Sequence, residues 1–94
     1  MIKIIATLLT FFAFNVSHAK VNVGIILGFT GPIETLTPGM SAGAELAFNE
    51  AADSGKLLNG QGINIIKVDS TCVDSAAATS AAESLISQGV TAIM

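Results

Sequence analysis

The residues that could carry chemistry lie in two short polar stretches, each of which follows an aliphatic run. Thr30 follows the first run, and residues 69–74, Asp-Ser-Thr-Cys-Val-Asp, follow the second. Asp69 and Asp74 could share acid–base work, but no third polar group or metal ligand lies near them in the sequence, which disfavours a hydrolytic site. Asp69 is expected to fix its own turn through a side-chain hydrogen bond; a contact to a ligand or hinge is the alternative.

The glycines after the first aliphatic run do not form a nucleotide-binding motif. Gly24, Gly28 and Gly31 do not follow the G-x-G-x-x-G pattern, and no G-x-x-x-x-G-K-[ST] sequence occurs. Pro32 and several further residues separate them from the next helix, whose N-terminus would have to hold a pyrophosphate. These glycines are therefore expected to form turns, and no cofactor is expected.

Residues 1–19 have the three-part order of a secretory signal peptide: a short positive start, an apolar run and a small polar end. The run is too short to span a hydrocarbon core, which takes roughly 20 apolar residues. Ser17 and Ala19 are small residues at the −3 and −1 positions, so cleavage is expected between Ala19 and Lys20. An uncleaved N-terminal helix is the alternative. His18, the only histidine, would leave with the signal, and no metal site is expected in the mature chain.

Length and composition limit the class of protein. Ninety-four residues form at most one small domain. With 51% apolar and 12% charged residues, the chain is not intrinsically disordered. The net charge of −3, without any block of like charge, argues against nucleic acid as a partner. Cys72 is the only cysteine, and in an exported chain it indicates either a partner on another segment or a free thiol.

Residues 20–94, which follow the predicted signal peptide, have a βαβαβ pattern. Strands are predicted over 21–27, 63–69 and 90–94, and helices over 38–53 and 75–88. Right-handed crossovers between parallel strands predict the sheet order 2-1-3, with the helices on opposite faces. The fold class is thus α/β, a partial doubly wound parallel sheet. Ligands of such sheets bind at the carboxyl ends of the strands, which the loops at 28–36 and 69–74 reach.

The caps and the buried faces of the two helices can be predicted. Thr37 is expected to cap the first helix, with Pro38 at its first helical position. Asp74 is expected to cap the second helix, and Gly89 to end it. Glu45 is expected to face water. The buried stripe of the first helix is predicted as Met40, Ala44, Ala47 and Ala51, flanked by Gly43 and Phe48, and that of the second as Ala78, Ala81, Ala82 and Leu85.

Three segments, 21–32, 43–47 and 68–72, resemble the start of periplasmic substrate-binding proteins of the leucine/isoleucine/valine type, which feed ATP-driven importers. The resemblance covers the mature chain in order. It implies two α/β lobes joined by a hinge, with the ligand enclosed between them. Residues 20–94 would form only the first part of the N-terminal lobe, and most of the binding site would lie beyond Met94.

The resemblance also implies roles for individual residues. In the family, a side chain of the loop after the first strand, often tyrosine, packs on the substrate; Leu36 takes that position here. In some members, a cysteine after the second strand pairs with one just after the third, so Cys72 would be half of such a disulfide. The hydroxyls after the two strands could donate hydrogen bonds to a ligand or cap local structure. The ligand-binding residues expected from the edge of the sheet and from the resemblance together are Thr30, Gly31, Leu36, Ser70 and Thr71.

The function implied by the resemblance is solute binding without catalysis. The partners would be a small amino acid or amide and an ABC permease in the inner membrane, and the location would be the periplasm. A ligand-sensing receptor domain of the same fold is the alternative, and a small exported α/β enzyme is a third. The identity of the ligand and the oligomeric state are left open.

Overall fold

The computed structural model describes residues 20–94. The signal peptide predicted at 1–19, with its cleavage after Ala19, lies outside the described residues. The elements are, in chain order, β1 (Val21–Leu27), α1 (Thr37–Asp53), a short 3-10 turn (Leu57–Gly60), β2 (Ile63–Asp69), α2 (Ser75–Ser87) and β3 (Ala92–Ile93). None of the helices in this part of the chain is long and apolar enough to cross a membrane.

The three strands form a parallel sheet in the order β2-β1-β3, which confirms the predicted α/β class and the predicted strand order. The register aligns the last residue of β1, Leu27, with the last residue of β2, Asp69. β3 is shorter than the predicted 90–94. Backbone hydrogen bonds of 2.8 Å from Thr91 to Asn22 and of 2.9 Å from Met94 to Gly24 nevertheless extend its pairing with β1.

The two helices cover opposite faces of the sheet, as predicted. A Cβ on Gly24 would lie 2.5 Å from Leu85 Cδ1, so this residue of β1 faces α2. Lys67 of β2 is paired in register with Ile25 and reaches Glu45 of α1. Successive residues of a strand point to opposite faces, so α1 and α2 lie on different sides.

The core lies where the central strand meets these helices. Ile25 and Leu85 are fully buried, and Val23 and Ala81 are nearly so. The predicted stripe of α2 is confirmed, since Ala81 and Leu85 are buried and Ala78 and Ala82 are half-buried. Gly24 leaves room on the sheet for the Leu85 side chain. This contact fixes α2, whose first residues border the carboxyl edge of the sheet.

The predicted cap of α1 is wrong. The helix begins at Thr37, and Leu36 holds the N-cap position without a side-chain hydrogen bond. Thr37 is completely buried, and its hydroxyl donates to the carbonyl oxygen of Gly28 at 3.0 Å. Because the side chain points to the sheet, it meets the loop after β1 rather than an amide of its own helix. The hydroxyl thereby ties α1 to that loop.

The predicted stripe of α1 is also partly wrong. Met40 is 54% exposed and Ala47 is exposed, whereas Ser41 is buried. The Ser41 hydroxyl donates to Glu45 Oε1 at 2.8 Å, and this carboxylate also binds Lys67 Nζ at 2.8 Å. Small polar side chains whose hydroxyls have partners can be buried. The buried face is therefore turned by about one residue from the apolar pattern, and Glu45 is half-buried rather than directed to water.

Candidate functional site

The carboxyl edge of the sheet is organised around Asp69. Its carboxylate accepts hydrogen bonds from the Thr30 hydroxyl, from the Thr30 N–H at 3.3 Å and from the Thr71 N–H at 2.8 Å. The bond to Thr71 closes the turn predicted for this aspartate. The two bonds to Thr30 join the loop after β1 to the loop after β2. We call these three residues the Asp69 clasp.

The electrostatics of the clasp favour an ionised carboxylate. The hydrogen bond from the Thr30 hydroxyl is the main cause that lowers the pKa of Asp69 below its usual value, and the Thr71 N–H is the next. Both donors are neutral. The ion pair found among residues 20–94 joins Lys67 to Glu45, so the charge of Asp69 has no cationic partner in the described part of the chain. This edge of the sheet therefore carries a negative charge.

Two glycines allow the loops to lie this close together. A Cβ on Gly28 would lie 2.7 Å from Cys72 Cβ. A Cβ on Gly31, which has a φ of +99°, would lie 2.7 Å from the carbonyl oxygen of Thr71. The sequence pattern assigned these glycines to turns and did not predict this contact. The sequence did contain one signal of this close approach. The loop after the first strand has two glycines, and the neighbouring strand ends in an aspartate.

The turn after β2 has an unusual backbone. Thr71 and Cys72 have φ values of 58° and 64°, in the left-handed region that β-branched residues in particular avoid. The Thr71 hydroxyl oxygen is buried and has no hydrogen-bond partner among the described residues. Backbone strain of this kind concentrates at functional sites, where the surrounding structure holds it in place. The clasp supplies that support through the Thr71 N–H.

An open pocket of about 330 Å³ lies beside this turn, at the start of α2. Ser70 contributes a largely buried side chain to it, whereas the Cys72 thiol is exposed and has no disulfide partner among the described residues. Asp74 Oδ1 accepts the Ala76 N–H at 2.8 Å, which confirms the predicted cap of α2. The pocket is lined by Ser70, Cys72, Val73, Asp74, Ser75 and Ala78.

The five predicted ligand-binding residues lie on the two loops, but they do not line one pocket. Thr30 and Gly31 are exposed and lie against the turn after β2. Leu36 is 64% exposed at the beginning of α1. Ser70 belongs to the pocket, and the half-buried Thr71 belongs to the clasp. Together they form one polar edge with an apolar side chain at its margin.

A comparison with models of protein families shows which family the chain belongs to. The model of the periplasmic binding proteins matches residues 20–94. The chain belongs to this family. Membership indicates a solute-binding or receptor role, small-molecule ligands and a periplasmic location, and members are typically not enzymes. No curated protein matches the chain.

Proposed function

We propose that this periplasmic binding protein is the solute-binding component of an ABC importer. Its ligand would be a small polar solute, such as a branched-chain amino acid or an amide, delivered to a membrane permease. Residues 20–94 would form the first part of the N-terminal lobe of a two-lobed protein. The observation that carries the proposal is the family match over all of the described residues. The polar carboxyl edge, where ligands of such sheets bind, supports it.

The arrangement of the polar groups favours binding over catalysis. Asp69 holds two loops together, and Asp74 caps α2. Each carboxylate already accepts hydrogen bonds from neutral donors that serve the fold, and neither is paired with a second titratable side chain in the described part of the chain. Thr30 and Ser70 offer hydroxyls that can contact a solute. In a two-lobed receptor, a second lobe closes over such an edge, and the closed form is selected because it binds the solute more tightly.

Isothermal titration calorimetry tests the proposal directly. The complete protein, expressed from the entire reading frame of its gene, is titrated with leucine, isoleucine, valine and short amides. We expect saturable binding of one class of solute. Residues 20–94 alone should show no measurable affinity, because they supply one wall of the cleft, and enclosure provides most of the contacts. Absence of binding by the complete protein to every solute, or turnover of a solute, would contradict the proposal.

Leu36 provides a test of where the solute lies. Leu36→Tyr in the complete protein is expected to change the order of preference among the solutes, because the side chain is exposed at the margin of the polar edge. Leu46→Tyr is the matched control, since Leu46 is similarly exposed but lies in the middle of α1. Calorimetry of both variants measures the change. Equal effects of the two substitutions would show that Leu36 is not near the solute.

The proposed importer role requires export. Residues 1–20, which are the predicted signal peptide and the residue after it, should direct the secretion of a fused reporter that is active only outside the cytoplasm, and the secreted product should begin at Lys20. N-terminal sequencing measures the cleavage site. A fusion with Lys3→Glu, which removes the positive start, is the control and should be exported less efficiently. An exported product that retains Met1 would contradict cleavage after Ala19.

A further inference from the structure

The hydrogen bond between Thr30 and Asp69 has a fixed direction. An ionised carboxylate only accepts hydrogen bonds, whereas a threonine hydroxyl has one proton to donate and two lone pairs. The Thr30 hydroxyl therefore donates its proton to Asp69. Its N–H donates to the same carboxylate, so neither donor of Thr30 remains free. What the exposed Thr30 side chain can still offer to a solute is an acceptor.

The surroundings strengthen this polarity. No cation in the described part of the chain neutralises Asp69. Lys67 is paired instead with Glu45 of α1. The hydroxyl of Ser70 forms no hydrogen bond with another described residue, so it can rotate to donate or to accept. In contrast to the Ser70 hydroxyl, the Thr30 hydroxyl has a hydrogen-bonding direction that is set by the fold.

We propose that Asp69 is a positioning residue that commits the Thr30 hydroxyl to accept, so that this wall of the cleft selects solutes with an N–H donor. The inference rests on the proposed function and deepens it. A solute with an amide or ammonium N–H can donate a hydrogen bond to a free lone pair of the Thr30 hydroxyl oxygen. A solute that offers an ester or carboxylate oxygen meets another acceptor beside a negative charge.

The test compares N-methylacetamide with methyl acetate, which has a similar shape but an oxygen in place of the N–H. Binding of each to the complete protein is followed through the NMR signals of Thr30. We expect N-methylacetamide to bind about three- to tenfold more tightly, which corresponds to one hydrogen bond. Thr30→Ser should keep this ratio, and Thr30→Val should reduce it to about one. Asp69→Asn should lower the ratio as well. The amide of the asparagine side chain can donate to the Thr30 hydroxyl oxygen, so that the hydroxyl proton becomes available to a solute.

A second measurement is independent of solute binding. The pKa of Asp69, followed by NMR without solute, should rise in Thr30→Val and stay near the wild-type value in Thr30→Ser. An unchanged pKa in Thr30→Val would overturn the inference, as would equal affinity for the two probes or the absence of any effect of N-methylacetamide on Thr30. If calorimetry detects a solute while these results are negative, the proposed function stands and the inference is wrong. If the pKa rises and N-methylacetamide is preferred while calorimetry detects no binding of leucine, isoleucine or valine, the inference stands and a branched-chain amino acid as the ligand is wrong.

Discussion

Replacing Leu85 with alanine is expected to lower the free energy of unfolding by about 2–5 kcal/mol, the range for leucine in a packed core. Leu85 is fully buried and fills the space that Gly24 leaves on the central strand. Removing its side chain opens a cavity between α2 and β1. Urea unfolding of the complete protein, monitored by circular dichroism, measures the loss.

The matched control for this prediction is the neighbouring residue. Ile86 lies on the same helix but is 66% exposed. Ile86→Ala should therefore change the free energy of unfolding by no more than about 0.5 kcal/mol. Similar losses for Leu85→Ala and Ile86→Ala would show that α2 does not pack on the sheet through Leu85.

Gly31→Ala is expected to lower the free energy of unfolding by about 1–3 kcal/mol, the usual cost of a strained backbone position. The substitution places a Cβ on a residue with a φ of +99°, 2.7 Å from the Thr71 carbonyl oxygen. Backbone atoms cannot yield as a flexible side chain can. The loop after β1 must shift away from the clasp, so solute affinity should fall together with stability.

The same substitution elsewhere should have the opposite sign. A Cβ on Gly43, in α1, would have no neighbouring atom within 4 Å. Gly43→Ala should therefore raise the free energy of unfolding by roughly 0.5–1 kcal/mol, because alanine loses less backbone entropy in a helix. Both variants are measured by urea unfolding and calorimetry of the complete protein. A Gly31→Ala variant as stable as Gly43→Ala would show that the loops are not in close contact.

The sheet and α2 could be predicted from the sequence because their signals are local. Strands such as Val21–Leu27 are aliphatic runs, and α2 combines a capping Asp74 with a stripe of small residues. The buried face of α1 could not be predicted in this way. It includes Thr37 and Ser41, whose hydroxyls have partners in the fold, and a pattern based on apolar residues assigns such side chains to the surface.

The sequence predicted that the candidate site lies at the carboxyl edge of the sheet, but it did not predict the contacts within the site. The turn of Asp69 follows from its place at the end of a strand, and the edge itself follows from the parallel topology. The contact with Thr30 spans 39 residues and depends on the register that aligns Leu27 with Asp69. Periodicity does not determine register. The left-handed backbone of Thr71 has no signal either, since glycine is the residue that usually marks such positions.

The most direct test of the proposed cleft is to map the amides that respond to a bound solute. In the complete protein, labelled for NMR and titrated with the solute that calorimetry identifies, we expect the largest shift changes within residues 30–36 and 70–71. Residues 88–90 should be unaffected, because α2 ends beside Asn22 at the opposite edge of the sheet. Shift changes centred on residues 88–90, or saturable binding that leaves both loops unchanged, would contradict the claim that the carboxyl edge forms a wall of the solute cleft.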